Sequence, residues 1–345
     1  MNDFLNKMIK ETGNEYAGIV SGGIDGSDVT GFIDTGSYAF NALLSGSLYG
    51  GIANNKITAL AGPSGVGKTF FALGMCSKFL QDNPEGVVLY FDTEQAITSE
   101  MISERGLDTD RIAIFPVATV ETFRYQAITI VDSYINNKEK KPILIILDSL
   151  GMLSTEKEIE DTAAGKSTRD MTRAQILKAS FRVLTLKLGI AGIPLVMTNH
   201  TYDQIGTMYP TQQMSGGKGL YYSASTIVYL SRRKVKEGTD VIGNIIHCKL
   251  YKGRLTKENS MIDVMLDYST GLNPYYGLVP LAVKYEIFKK VSTRIELPNG
   301  KTAFEKSINN EPEKYFTEDV MKQLEEAAEK EFKYGNIEQE NENGE

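Results

Sequence analysis

Apolar positions along the chain fall into short unbroken runs, and between the early runs apolar residues recur at helical spacing. The runs are Ile57 to Ala61, Val87 to Phe91, Ile112 to Val117, Ile143 to Leu147, Leu195 to Thr198, Ile227 to Ser231, Ile245 to Tyr251 and Met261 to Leu266. Runs of four to seven residues suit strands buried on both faces, and the periodic stretches suit helices laid over them. This alternation predicts an α/β fold with a mostly parallel central sheet between helices. The last runs follow one another closely, which predicts an antiparallel extension.

The flanks read differently. Residues 3–11 predict a short helix, and residues 13–36 carry seven glycines with little periodicity, the composition of a flexible connector. Near the other end, Asn299-Gly300 within "ELPNGKTAFEK" predicts a hairpin turn. A polar helix is expected from about Thr317 to Lys333, followed by "YGNIEQENENGE", too polar to fold alone. Three regions are therefore expected: an arm and linker over 1–34, a core over 35–290, and a small C-terminal region over 291–345.

Composition narrows the class. A chain of 345 residues, 41% hydrophobic and 23% charged, suits one large soluble domain with appendages. No apolar run approaches the roughly 20 residues of a membrane span, and the first residues lack the apolar stretch of a secretory signal. Cys76 and Cys248 lie within apolar patterns and read as reduced core residues of a cytoplasmic protein. The net charge of −7 argues against a nucleic-acid partner until its distribution is considered. Residues 311–345 hold 12 acidic and 4 basic side chains, which leaves +1 on residues 1–310.

The sharpest chemical signal is "KITALAGPSGVGKTFFALGMC". It contains GxxxxGK[ST] as Gly62, Pro63, Ser64, Gly65, Val66, Gly67, Lys68 and Thr69, placed between an apolar run and an amphipathic stretch. Glycines let successive backbone N–H groups converge on phosphate oxygens, and a helix N-terminus adds its dipole. Lys68 then serves the β and γ phosphates, and the Thr69 hydroxyl serves Mg²⁺. "PILIILDSLG" delivers Asp148 to the sheet's carboxyl edge, where a carboxylate can hold the metal. A third acid comes from "GVVLYFDTEQAIT": Glu94 can orient or deprotonate an attacking water, although Asp92 or Glu94 can equally cap the helix that follows.

Taken in order, "TGSYAFNALLSGSLYGGI", the phosphate loop, "YFDTEQAIT", "ILDSLGML", "DMTRA", "TNHTY" and "MSGGKGLYYSAS" resemble the RecA family of recombinases, and within it the phage UvsX recombinases. The resemblance covers roughly Thr35 to Phe288. It implies a RecA-type P-loop ATPase core, with ATP and Mg²⁺, and an N-terminal arm that docks on a neighbouring subunit. The implied activity is that of a DNA-dependent ATPase and recombinase. Such a protein forms a helical filament on single-stranded DNA, pairs it with homologous duplex DNA and exchanges strands. A loading mediator and a single-strand-binding protein are expected partners, and the cytoplasm of a host cell is the expected compartment if the chain is a phage product.

The resemblance also implies a role for His200, which stands where bacterial RecA proteins carry a glutamine that touches the γ-phosphate. The loop after it, about 201–219, is then a DNA loop. Gly216, Gly217 and Gly219 permit close backbone approach, Lys218 offers charge, and Met208, Tyr209 and Met214 offer surfaces for bases. A first DNA loop is implied at about 154–172. There Arg169 and Arg173 are expected four apart on one helix face, with Lys166 in support and four acids just upstream. Finally, Lys252 and Arg254 match two basic residues that the family directs at a neighbour's ATP, with arginine where lysine is usual at the second position. Met101 falls where an aromatic residue stacking on the base is expected. A hexameric helicase or motor on the same fold, or a small-molecule kinase sharing the phosphate loop, remains the alternative function.

Overall fold

The computed structural model describes residues 2–24, 26–166, 172–203, 212–216 and 218–335. Helix α1 (Asn2–Thr12) comes first. The glycine tract holds one 3-10 turn and strand β1 (Phe32–Ile33), which pairs with β2 (Ile52–Ala53) around helix α2 (Tyr38–Ser45). The core then alternates through β3 (Ile57–Gly62), α3 (Lys68–Asp82), β4 (Val87–Asp92), α4 (Ser99–Glu104), β5 (Ile112–Pro116), α5 (Val120–Asn136) and β6 (Ile143–Asp148). Helices α6 (Glu156–Ala163) and α7 (Arg173–Ala191) lead to β7 (Leu195–Asp203), β8 (Gln212–Met214) and α8 (Lys218–Ser223). Strands β9 (Thr226–Glu237), β10 (Asp240–Gly253), β11 (Met261–Asp267) and β12 (Gly271–Leu272) form the antiparallel extension. After α9 (Leu278–Lys284) come a meander of β13 (Lys289–Val291), β14 (Arg294–Glu296) and β15 (Thr302–Ala303), and helices α10 (Glu305–Asn310), α11 (Pro312–Tyr315) and α12 (Glu318–Phe332).

The large sheet runs β12-β11-β10-β9-β3-β7-β6-β4-β5, with β8 paired to β7. From β9 to β5 neighbouring strands on this path are parallel, as the early alternation predicts. Side chains alternate between the faces. Leu60, Val88, Tyr90, Leu144, Ile146 and Val196 pack with α2, α3, α9 and α12. Ile57, Phe91, Ile145, Leu147 and Met197 pack with α5 and α7. Cys76 and Cys248 are buried free thiols, and burial raises both pKa values. Among the described residues no helix is long and apolar enough to cross a membrane.

Three expectations change. The second half of the glycine tract is docked rather than loose: Asn55 and Lys56 donate to the carbonyls of Gly26, Ser27 and Asp28. Gly26 lies against the α7 backbone, where a Cβ would come within 3.0 Å of the Ile190 nitrogen. Helix α12 is amphipathic, and Val320, Leu324, Ala328 and Phe332 enter the main core, so the C-terminal region belongs to the same packed body. Strands β9 and β10 outrun their apolar runs because the polar stretch "SRRKVKEGTDVIGN" forms a two-stranded ribbon whose backbone bonds do not require apolar side chains. The hairpin expected at Asn299-Gly300 is present between β14 and β15, with Gly300 at φ +75°.

Candidate active site

The sheet register assembles the site. Gly62 lies opposite His200 across β3 and β7, and Asp92 lies opposite Asp148 across β4 and β6. Four strands therefore end at one edge, carrying the phosphate loop and three polar side chains. Gly65 (φ +69°) and Gly67 (φ +105°) take backbone conformations that only glycine adopts without strain. Val66 is fully buried between them and pins the loop to the core. Lys68 donates to the carbonyls of Gly62 (2.9 Å) and Pro63 (3.0 Å). Burial lowers its pKa, while Asp148 and Glu94 act in the opposite direction.

Asp148 is the most heavily bonded acid of the site. It accepts from Thr69 Oγ1 at 2.7 Å, from the Tyr90 hydroxyl at 2.8 Å and from Thr198 Oγ1. Burial, followed by the charge of Asp148, pushes the Tyr90 phenol well above its usual pKa, so it stays protonated and keeps donating. The peptide between Asp148 and Ser149 is cis. Thr69 and Asp148 thus place two hard oxygen donors side by side, the donor set that suits Mg²⁺ when phosphate oxygens and water complete the shell. Among the described residues no group of three His, Cys, Asp or Glu side chains forms an all-protein metal cage.

The two acids after β4 divide their roles. Asp92 is buried and accepts from the backbone N–H groups of Glu94 (3.0 Å) and Ile97 (3.1 Å), which shapes the turn. Helix α4 is capped by Thr98. The Glu94 carboxylate is therefore free of capping duty. It accepts from Ser149 Oγ at 3.1 Å and lies 3.2 Å from His200 Nε2. Lys68, Thr69, Glu94, Asp148 and His200 line one cleft of ≈ 270 Å³. An adjoining cavity of ≈ 460 Å³ shares Phe70, Leu266 and Tyr268 with it. Met101 does not line that cavity; Arg105 does, with its guanidinium 4.4 Å above the Phe70 ring.

Beyond His200 the backbone stays extended. Strand β7 continues to Asp203 and turns back through β8, with Thr201 opposite Met214. Asn199 ties the two arms together: its amide donates to the Ser215 carbonyl at 2.9 Å, while its oxygen accepts from the His200 N–H. Residues 204–211, with Met208 and Tyr209 among them, lie outside the described residues. Gly217 and the Lys218 side chain lie outside them too. Two of the glycines and one methionine have packing contacts of their own. Gly219 is buried where a Cβ would meet the Lys178 backbone at 3.0 Å, and Gly216 (φ +86°) faces Leu177. Their small size serves packing on α7, and Met214 packs against that same core.

The first DNA loop is also revised. Lys166 is exposed and paired with Asp161 at 3.6 Å. Arg169 lies outside the described residues. Helix α7 begins at Arg173, and the expected pairing of the two arginines on one helix face falls partly on residues outside the described ones. Arg173 donates to the carbonyls of Leu153, Leu150 and Gly151, so its guanidinium holds the chain after Asp148 instead of presenting a free cation.

Lys252 and Arg254 sit at the opposite end of the sheet. Strand β10 runs antiparallel to β9, and its end pairs with Thr226 and Ile227 at the start of that strand. A register shift falls between Leu250 and Lys252, and the strand ends at Gly253, just before Arg254. Lys252 donates to the Tyr221 carbonyl at 2.5 Å and lies over the Tyr221 ring. Arg254 lines a cavity with Lys56 and Arg182. Burial and then the charge of Arg254 lower the pKa of both Lys252 and Lys56, which marks a cluster of mutually repelling cations.

Sequence reasoning missed Arg232. It lies on β9, donates to the Gly65 carbonyl and lines the same cleft as Lys68. The signal was the basic run Arg232, Arg233, Lys234 and Lys236, passed over because it carries no motif.

The sequence profile described as the RecA N-terminal domain matches residues 2–273. A protein of enterobacteria phage T4 named "Recombination and repair protein" is 34% identical over 244 residues, covering 71% of this chain and 61% of its own length. RecA proteins of Clavibacter michiganensis and Malacoplasma penetrans are 27% and 28% identical, covering 81% and 70% of this chain and 76% and 71% of theirs. The match thus spans less than two thirds of the phage protein. A profile that covers most of the chain, on a sheet whose edge holds Lys68, Thr69, Asp148 and Glu94 in one cleft, settles its kinship: the chain belongs to the RecA family.

Proposed function

We propose that the chain is an ATP-dependent DNA recombinase that polymerises on single-stranded DNA, pairs it with homologous duplex DNA and exchanges strands. The carrying observation is the bridge from Glu94 through His200 to the β7–β8 hairpin. It joins the residue best placed for hydrolysis to the base of the loop 204–211, so nucleotide state and DNA contact share one strand. Lys68, Thr69 and the backbone N–H groups of the loop bind the phosphates of ATP. Thr69 and Asp148 would hold Mg²⁺, which supplies charge neutralisation at the phosphates when bound. Glu94 takes the proton of the attacking water, with Ser149 and His200 fixing its carboxylate.

Lys252 and Arg254 lie too far round the sheet to serve their own chain's ATP. In this reading they stabilise transition-state charge on a neighbour's ATP, so hydrolysis takes place between subunits. Helix α1 supports polymerisation because Phe4, Leu5 and Met8 are exposed along it, an apolar face suited to a second copy. Lys166 and the segment 204–211, with Gly217 and Lys218 at its close, are the DNA-facing parts, and Arg169 belongs with them. A loading mediator, a single-strand-binding protein and a cytoplasmic setting complete the proposal.

Electron microscopy with long single-stranded DNA, Mg²⁺ and a slowly hydrolysed ATP analogue tests it. Continuous helical filaments that require nucleotide are the expected result. Discrete rings would favour the helicase or motor, and bare DNA would favour the kinase.

A further inference from the structure

The function proposed above gives no task to Arg232. It projects from β9, the strand beside β3, and its guanidinium lies over the apex of the phosphate loop. One terminal nitrogen donates to the Gly65 carbonyl. A Cβ on Gly65 would meet the guanidinium nitrogens at 3.4 and 3.5 Å, so the absence of a side chain there leaves room for the arginine. The same group lines the cleft with Gly67, Lys68, Thr69, Glu94 and His200. Arg232 takes part in no ion pair among the described residues. Guanidinium carries five N–H donors, and a single carbonyl leaves most of them, and the whole charge, available at the rim of the cleft.

We propose that Arg232 is a phosphate ligand acting in cis: together with Lys68 it holds the polyphosphate chain of the nucleotide bound to its own loop. This rests on the ATPase reading above. Chemistry favours arginine for the task, since its planar fork can bind a phosphate oxygen and still hold the Gly65 carbonyl, whereas an ammonium is a point charge. Position favours it as well. Lys68 rises from the helix below the loop and Arg232 arrives from the neighbouring strand, so the two cations meet the same anion from different elements. Beyond Arg232 the strand continues as an exposed ribbon bearing Arg233, Lys234 and Lys236, so a phosphate that engages Arg232 also fixes the root of that ribbon.

The test measures binding, without DNA and without turnover. A fluorescent ATP analogue is bound to the full chain with Mg²⁺ and displaced by ATP or by inorganic tripolyphosphate. Arg232→Ala should weaken both competitors by the same factor, about tenfold, the usual size of one charge-assisted hydrogen bond. Arg232→Lys should keep most of the affinity. Arg232→Gln can still donate to the Gly65 carbonyl but lacks the charge, so it should bind as weakly as the alanine variant. Rescue by glutamine would reduce Arg232 to a prop for the loop and overturn the proposal. Unchanged tripolyphosphate affinity in the alanine variant would overturn it as well. A wild-type chain that binds neither competitor would overturn the ATPase reading itself, an outcome distinct from normal wild-type binding with unaffected variants.

Discussion

The two ends of the central sheet both seat lysines on backbone carbonyls but surround them with different charges. At the end that carries the phosphate loop, each cation has a seat: Lys68 on the carbonyls of Gly62 and Pro63, Arg232 on that of Gly65, with Asp148 and Glu94 in the same cleft. At the other end burial, and then the charge of Arg254, lowers the pKa of both Lys56 and Lys252, while Asp28 and Glu258 act in the opposite direction. A site complete within one chain balances its own charges, whereas an edge that concentrates like charges awaits an anion from outside. In the reading proposed above, the first end binds ATP and the second meets a neighbour's phosphate.

The comparison breaks most visibly at Arg254. Arg254→Ala should leave the affinity of the isolated chain for ATP unchanged and lower DNA-stimulated hydrolysis about a thousandfold, the lower end for a cation supplied across an interface. Mixing it with Lys68→Ala sharpens the test. Neither variant alone should turn over, but mixed filaments contain interfaces with both intact halves and should recover part of the activity. No recovery in the mixture would place Arg254 in its own chain's chemistry. Glu94→Gln comes next: ATP binding should persist while hydrolysis falls by about 10² or more, as expected for loss of a general base. Equal losses in affinity and turnover would make Glu94 a phosphate-side support instead.

His200→Ala should cost less and in a different quantity. ATP affinity should be retained, but stimulation by single-stranded DNA should be lost, because the variant cuts the link between Glu94 and the β7–β8 hairpin. Steady-state hydrolysis with and without DNA measures it, and full stimulation would show that the His200 side chain does not carry the signal. The acidic terminus is gentler still. Helix α12 is part of the core and Glu325 accepts from the Leu48 N–H, so a deletion that begins there damages the fold. Removing only residues 336–345 is the clean experiment. The Tyr334 hydroxyl donates to the Gly253 carbonyl, so the last described residues lie beside the segment that carries Lys252 and Arg254. Duplex-DNA affinity should rise severalfold at low salt and converge with that of the full chain as salt increases.

What was legible beforehand follows from where side-chain chemistry is local. The strand runs, the phosphate loop and Asp148 were readable because each is written in consecutive residues. The division of labour between Asp92 and Glu94 was not, since it depends on which carboxylate turns back to the Glu94 and Ile97 amides. Arg173 looked like a free cation because the carbonyls of Leu150, Gly151 and Leu153 that it holds are twenty or more residues away. Gly219 looked like a nucleic-acid contact because the α7 backbone it touches cannot be seen in a glycine-rich string. Arg232 was invisible for the same reason: its partner is a carbonyl brought near only by the pairing of β3 with β9.

The smallest expected effect concerns what holds the basal cations in place. The turn after Arg254 is fastened to the end of α12: the Lys257 N–H donates to the Phe332 carbonyl at 2.7 Å, and its ammonium donates to the carbonyls of Lys330 and Glu331. Glu331 in turn fastens α12 to α9, accepting from Lys284 at 2.6 Å and from the Tyr285 hydroxyl at 3.0 Å. Partial burial raises the Glu331 pKa, but these two bonds outweigh it and leave the carboxyl below its ordinary value. A depressed carboxylate stabilises the fold above its ordinary pKa and loses that contribution as pH falls through the folded value. The Lys284 partner is mostly exposed, so the pair is worth well under about 1 kcal/mol. Glu331→Gln should therefore lower Tm by less than about 1 °C at neutral pH, and the difference should vanish as acid protonates the wild-type carboxylate. Calorimetry across that range decides it. A difference that survives acidification would mean that α12 is held by packing alone, and that the basal edge owes its geometry to Phe332 and Leu324 rather than to charge.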